Sequence, residues 1–226
     1  MGFIPLKPNK ENKASAKANN PIKAKLVSGI HLTLILCLML RYLNLKIKFK
    51  ERSKVMHKNL NHYSEINACQ FVTFRTKDSI DDFLLRLNTL KYSSESKKQL
   101  AIDEYCDTSK AGRYLNGEII YDIRTYLISL EPEYLKLIAL SIMPNHVHVL
   151  FVQNQDLSKT MQKIKGHLAR LINKKLNKQG EFWSRNYYDT AIRDERHFDT
   201  TYNYIKNNAT KANLTDAENR FYGIYE

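Results

Sequence analysis

The sequence predicts an α+β domain of ferredoxin-like βαββαβ order, an antiparallel sheet with one further helix at its C-terminal end. Three observations carry that prediction. Residues 134–142 and 146–152 are near-continuous apolar runs separated only by Met143-Pro144-Asn145, the pattern of a hairpin between buried strands. A long segment of helical period follows, with apolar Leu157, Met161, Ile164, Leu168, Leu171, Ile172 and Leu176. Short β-rich segments flank this unit at 68–76 and 186–193.

The elements follow in order. In the run 68–76, Phe71, Val72 and Phe74 are strand formers, and Lys77-Asp78 stops it. Ser79 caps a helical pattern whose apolar positions are Ile80, Phe83, Leu84, Leu87 and Leu90. Residues 93–117 are polar and read as a loop, punctuated by Gly112 and Gly117. Ile120, Ile123, Leu127 and Leu130 make a second helical pattern, stopped by Pro132. After the hairpin, Asp156 caps the long helix and Gly180 closes that segment. Asp194 then caps a last helix to about Asn208, with Phe198, Tyr202 and Ile205 as its apolar positions.

Composition sets the class. The chain has 226 residues, 43% apolar and 26% charged, ordinary globular values that exclude collagen-like and low-complexity chains. Three cysteines cannot make a disulfide framework, which points to a reducing, cytoplasmic compartment. The net charge of +13 is uneven: residues 1–60 hold 13 basic and two acidic side chains, and residues 61–226 hold 23 and 21. The expected organisation is therefore a basic, largely disordered extension over 1–60 and one domain over 61–226. The extension contains an apolar run at 30–40, too short to span a bilayer, which needs roughly 20 residues. It resembles a signal peptide, but no small-x-small cleavage site follows. The favoured expectation is a start codon placed too far upstream, with Met56 opening the interpretable chain.

His146-Val147-His148 lies in a predicted strand. Alternation puts both imidazoles on one face, where two can hold one divalent metal. With seven histidines in the chain, an H-x-H alone is a weak signal, and ordinary polar residues of a sheet face would look the same. On the last helix, Tyr204 and Asn208 stand four residues apart, on one side. A tyrosine hydroxyl beside a metal can attack a phosphodiester, although the chain has 14 tyrosines and most helical ones pack. The long helix presents Lys159, Lys163, Lys165, Arg170, Lys174, Lys175 and Lys178 with no acid over 157–180, a candidate phosphate-binding face. Arg75, Arg185, Arg193 and Lys211 are weaker candidates. Tyr187 and Tyr188 could stack on bases, though one ring in the core and one outside is the commoner arrangement. Trp183 reads as a packing anchor, and His197 as an exposed histidine near a helix start.

Several of these segments resemble one family, in order. SIMPNHVHVLF (141–151) resembles the HUH box of the single-tyrosine transposases, specifically the REP-associated tyrosine transposases. LSKTMQKIKGHLARLINK (157–174), GEFWSRNYYDTAIRDERHF (180–198) and YIKNNATKANL (204–214) resemble the segments that follow the box in that family, and FVTFRTKDSI (71–80) its first strand. The likeness covers about 68–216. It implies a ferredoxin-like nuclease that binds hairpin-forming single-stranded DNA and cuts a neighbouring strand. The cut leaves a 5′-phosphotyrosine and a free 3′-OH, and the strands are then rejoined. By position it makes Tyr204 the nucleophile and His146, His148 and Asn208 the ligands of Mg²⁺ or Mn²⁺. It implies no membrane partner, and a monomer or homodimer. Two departures stand out: Ala209 replaces the family's Pro, expected to loosen the helix end, and Asn213 replaces its Gly, a residue that tolerates the left-handed C-cap. A catalytically silent protein that binds repeat hairpins is the alternative. A metal-dependent hydrolase with no covalent step is a third reading.

Overall fold

The structure, a computed structural model, describes residues 63–79 and 94–226. The N-terminal extension with its apolar run, Met56, the boundary at 60 and the helical pattern over 80–90 lie outside the described residues. The elements are β1 (Cys69–Arg75), α1 (Glu95–Thr108), α2 (Glu118–Ser129), β2 (Leu135–Ile142), β3 (His146–Gln153), α3 (Leu157–Lys175), β4 (Tyr188–Ala191), α4 (Glu195–Lys211), α5 (Ala217–Arg220) and β5 (Phe221–Gly223). One five-stranded sheet runs in the order β4-β1-β3-β2-β5, and every neighbouring pair is antiparallel. The four-strand part of that order is the ferredoxin-like arrangement, and the fold is α+β as the sequence predicts.

The sheet separates two environments. On one face, Val72, Phe74, Val147, Val149 and Phe151 meet Ile119, Ile123 and Leu127 of α2 and Leu157, Met161, Ile164, Leu168 and Ile172 of α3. Alternation sends Thr73, Arg75, His146 and His148 to the other face, where α4 packs on β2 and β3. Both faces are covered, which is why β2 and β3 read as continuous apolar runs. A register shift between Leu137 and Ala139 keeps the core face apolar on both sides of the irregularity.

Three expectations need correction. The stretch 93–117 is not all loop, since α1 occupies Glu95–Thr108 and the Ser94 side chain caps it by accepting from the Lys97 amide. Its inward side carries Gln99 and Asp103 beside Ile102 and Cys106, all buried, while Leu100 is 49% exposed. Polar residues at inner positions erase the apolar period. The end of α4 is not loosened. The helix runs through Ala209 to Lys211, the amides of Asn213 and Leu214 donate to the carbonyls of Thr210 and Ala209, and Asn213 sits at φ 52°. That is a complete Schellman motif, with Asn supplying the left-handed residue. Third, β5 adds an edge strand against Ala139–Ser141. A Cβ at Gly223 would run into Tyr202 Oη and the Phe221 ring, so a larger residue there would have to displace those side chains.

Candidate active site

The site forms where β1, β3, α1 and α4 meet. His146 and His148 are fully buried, and their Nε2 atoms face each other at 3.0 Å. Each ring is held from behind. Asn145 Oδ1 lies 2.8 Å from His146 Nδ1, and Thr73 Oγ1 lies 2.8 Å from His148 Nδ1. The Asn145 amide is oriented by donating to the carbonyls of Cys106 and Ala111. Its oxygen therefore faces the ring and places the His146 proton on Nδ1, leaving Nε2 a lone pair. His148 Nε2 then donates to His146, and the Thr73 hydroxyl donates to His148. His146 and His148 would hold a cation through their Nε2 lone pairs, which needs the His148 proton on Nδ1, where the Thr73 hydroxyl, a rotor, can accept it.

Tyr204 comes from α4. Its ring lies 5.2 Å from that of His148 and 6.1 Å from Phe71, centroid to centroid. Its hydroxyl donates to Asp103 Oδ2 at 3.1 Å. Asp103 Oδ1 accepts from Gln99 Nε2 at 2.6 Å, and Gln99 Oε1 accepts from Arg75 Nη2 at 3.2 Å. Asn208 is buried one turn beyond Tyr204, and its Nδ2 has no hydrogen-bond partner. Asp107 Oδ1 lies 3.8 Å from His146 Nε2, also without a hydrogen bond.

Burial dominates the electrostatics. It holds both imidazoles neutral, with Arg75 adding to the effect: His148 falls to about 3, and His146 falls well below its ordinary value. Burial also pushes the Asp103 carboxyl up to about 7, against the pull of Arg75, Tyr204 and Gln99, and that of Asp107 up to about 6, against Lys211. The Tyr204 hydroxyl is raised above its ordinary value by burial, then by the charge and hydrogen bond of Asp103.

The donor set fits a divalent cation. One ligand atom each from Asp103, His146 and His148 lie within 4.8 Å of one another, and Asp107 Oδ1, 3.8 Å from His146 Nε2, offers a further oxygen. Two imidazoles with a carboxylate or amide oxygen suit several divalent ions, Mn²⁺ among them.

The structure brings His146, His148, Tyr204 and Asn208 to the same face of the sheet. It does not bring the basic residues of α3 there, because that helix covers the opposite face. Lys159, Lys163, Arg170 and Lys174 are exposed on α3. Lys165 is half-buried instead, donating to the carbonyls of Ser184 and Arg185 at 2.8 Å each. Lys175 pairs with Glu118 and Asp122, and Lys178 with Asp78, so acids from other elements reach a helix that has none. Arg185 pairs with Glu181, Arg193 is exposed beside the start of α4, and Lys211 lies close enough to Asp107 to act on its carboxyl. Tyr187 and Tyr188 are both half-buried, the first against the α3-side core and the second against Phe71. Trp183 is a packing anchor, edge-on to Phe74 at 4.9 Å. His197 Nδ1 accepts from the Arg193 amide, so it helps start α4.

Gln99, Asp103 and Asp107 are the site residues that sequence reasoning misses. They recur every four residues, a polar stripe on one side of a helix, and that spacing after the Ser94 cap is the signal that marks them.

The model of the IS200-like transposase family matches residues 108–208 of the chain. Two solved structures are similar. One is of a REP-associated tyrosine transposase bound to a REP hairpin: 13% identity, 69% of this chain and 74% of that one covered, TM-score 0.42. The other is of a protein assigned as a transposase from Deinococcus radiodurans R1: 17% identity, 68% and 97% covered, TM-score 0.38. No curated protein matches the sequence. Among the described residues, no helix is long and apolar enough to cross a membrane.

Proposed function

We propose that this protein is a metal-dependent tyrosine transposase of the REP-associated kind, acting on hairpin-forming single-stranded DNA in the cytoplasm as a monomer or homodimer. One observation carries the reading: the His148 ring, whose Nε2 faces that of His146 at 3.0 Å, packs 5.2 Å from the ring of Tyr204, whose hydroxyl is hydrogen-bonded to a carboxylate. Mg²⁺ or Mn²⁺ would be held by His146 and His148, with Asp103 or Asn208 as third ligand, and would supply positive charge to the non-bridging oxygens of the scissile phosphate. Tyr204 Oη attacks phosphorus and passes its proton to Asp103 Oδ2. The Tyr204 O–P bond forms, the P–O3′ bond breaks, and the departing oxygen takes a proton to become a 3′-OH. Asp103, raised to about 7, is matched to that proton transfer near neutral pH. The product is a 5′-phosphotyrosine. Attack on it by another 3′-OH reverses the chemistry and rejoins strands, with bond energy retained and no nucleotide cofactor required.

A second reading, a DNA-binding protein that does not cleave, draws on the enclosure of the site: both histidines are fully buried and Tyr204 is tied to Asp103. His148→Ala distinguishes them. The transposase reading expects cleavage of a hairpin-bearing single strand from the flanks of the protein's own gene to be lost while a native-gel shift persists. Equal loss of both would make His148 structural.

A further inference from the structure

Arg75 ends β1 opposite His146 in the strand ladder. Its side chain points to the histidine face, and the residue is only 8% exposed. A guanidinium cannot shed its charge, so burial without an anionic partner is costly. Nη2 donates to the neutral Gln99 carbonyl, and Nη1 is buried with no hydrogen-bond partner. Gln99 stands between Arg75 and Asp103. The field of Arg75 is felt at His146, His148 and Asp103, all of which it pulls down, so the charge sits beside the reacting groups. A planar fork with one idle arm, next to paired imidazoles and a tyrosine, is shaped for two oxygens of a phosphate.

We propose that Arg75 is the phosphate-binding residue of this site. Its guanidinium takes the non-bridging oxygens of the scissile phosphodiester, Nη1 as a new donor and Nη2 by exchanging Gln99 for phosphate. This rests on the function proposed above and adds a residue to it. Arg75 stays charged throughout, and the bonds made and broken are those already given for Tyr204.

The test uses the full chain and the labelled hairpin-bearing single strand from its own gene's flanks, made twice. One copy is all phosphodiester, and the other carries a single neutral methylphosphonate at the position the wild type cuts. Covalent adduct formation in Mn²⁺ is followed for wild type, Arg75→Ala and Arg75→Lys, with circular dichroism confirming each fold. Loss of one donor to a developing oxyanion costs about 100-fold or more, so Arg75→Ala is expected to slow the phosphodiester reaction by that much. On the methylphosphonate it is expected to come within about tenfold of wild type, because the charge that Arg75 answers is gone. Arg75→Lys keeps a charge without the fork and is expected to recover only a minor part of the phosphodiester rate. Arg75→Ala within about threefold of wild type on the phosphodiester would overturn the assignment, and so would a loss that the methylphosphonate does not relieve, which marks a structural role. A wild type that forms no adduct would overturn the proposed function itself, and this inference with it.

Discussion

Asp103 Oδ2 accepts the hydroxyl of Tyr204 at 3.1 Å, joining a helix read from sequence as loop to the helix that carries the tyrosine. The same carboxylate is the one that groups with His146 and His148. In the proposed function, proton acceptance and metal ligation would both fall to Asp103, and the two are separable by measurement.

Metal binding is expected to strengthen as pH rises through about 7. The Asp103 carboxyl is raised to about 7 and must lose its proton to act as a ligand, so binding releases a proton and is weaker at pH 6 than at pH 8, by up to about tenfold per unit. Calorimetric titration of Mn²⁺ at both pH values checks this. In Asp103→Asn the slope is expected to flatten if Asp103 is the third ligand. In Asn208→Ala the affinity is expected to fall with the slope intact if Asn208 is.

Asn145→Ala removes the acceptor that fixes His146 with Nε2 as its lone pair. The expected result is a loss of roughly 10- to 100-fold in Mn²⁺ affinity, the usual cost of removing a group that orients a metal-binding imidazole. Unchanged affinity would show that the orientation is set elsewhere.

At Asn213, φ is +52°. Replacement by Ala is expected to lower stability by about 1–2 kcal/mol, and replacement by Gly to leave it unchanged or slightly raised. Chemical denaturation of the three proteins decides it.

The basic residues are expected to divide. Ala at Lys159, Lys163, Arg170 or Lys174 should leave stability alone. Each of these substitutions that removes a phosphate partner should weaken binding of the single strand and reduce its salt slope by about 0.7. Lys165→Ala should instead lower the melting temperature, since it frees two carbonyls of the 184–185 turn. A salt slope unchanged in all four surface variants would move the DNA off α3.

Much of this was legible. Period two placed His146 and His148 on one face, period four placed Tyr204 with Asn208, and the Asp156 and Asp194 caps mark where α3 and α4 begin. What sequence could not show has physical causes. The helix α1 hides because its buried side is polar, with Gln99 and Asp103 spent on Arg75 and Tyr204 rather than on apolar packing. The fixing of the rings depends on Thr73, 75 residues from His148, a contact made by strand pairing alone. Nor could the basic stripe on α3 show which face of the sheet it covers, because that depends on the apolar side of the helix meeting Val147 rather than His146.

The most direct measurement compares the full chain with its Tyr204→Phe variant. Each is incubated with the labelled hairpin-bearing single strand in Mn²⁺ or EDTA and run on a denaturing protein gel. A labelled protein band is expected with the wild type, one that needs Mn²⁺ and vanishes in Tyr204→Phe, while both proteins still shift the DNA on a native gel. DNA cleaved equally well by Tyr204→Phe, with no protein adduct from either, would contradict covalent tyrosine chemistry and leave a hydrolase without a covalent step.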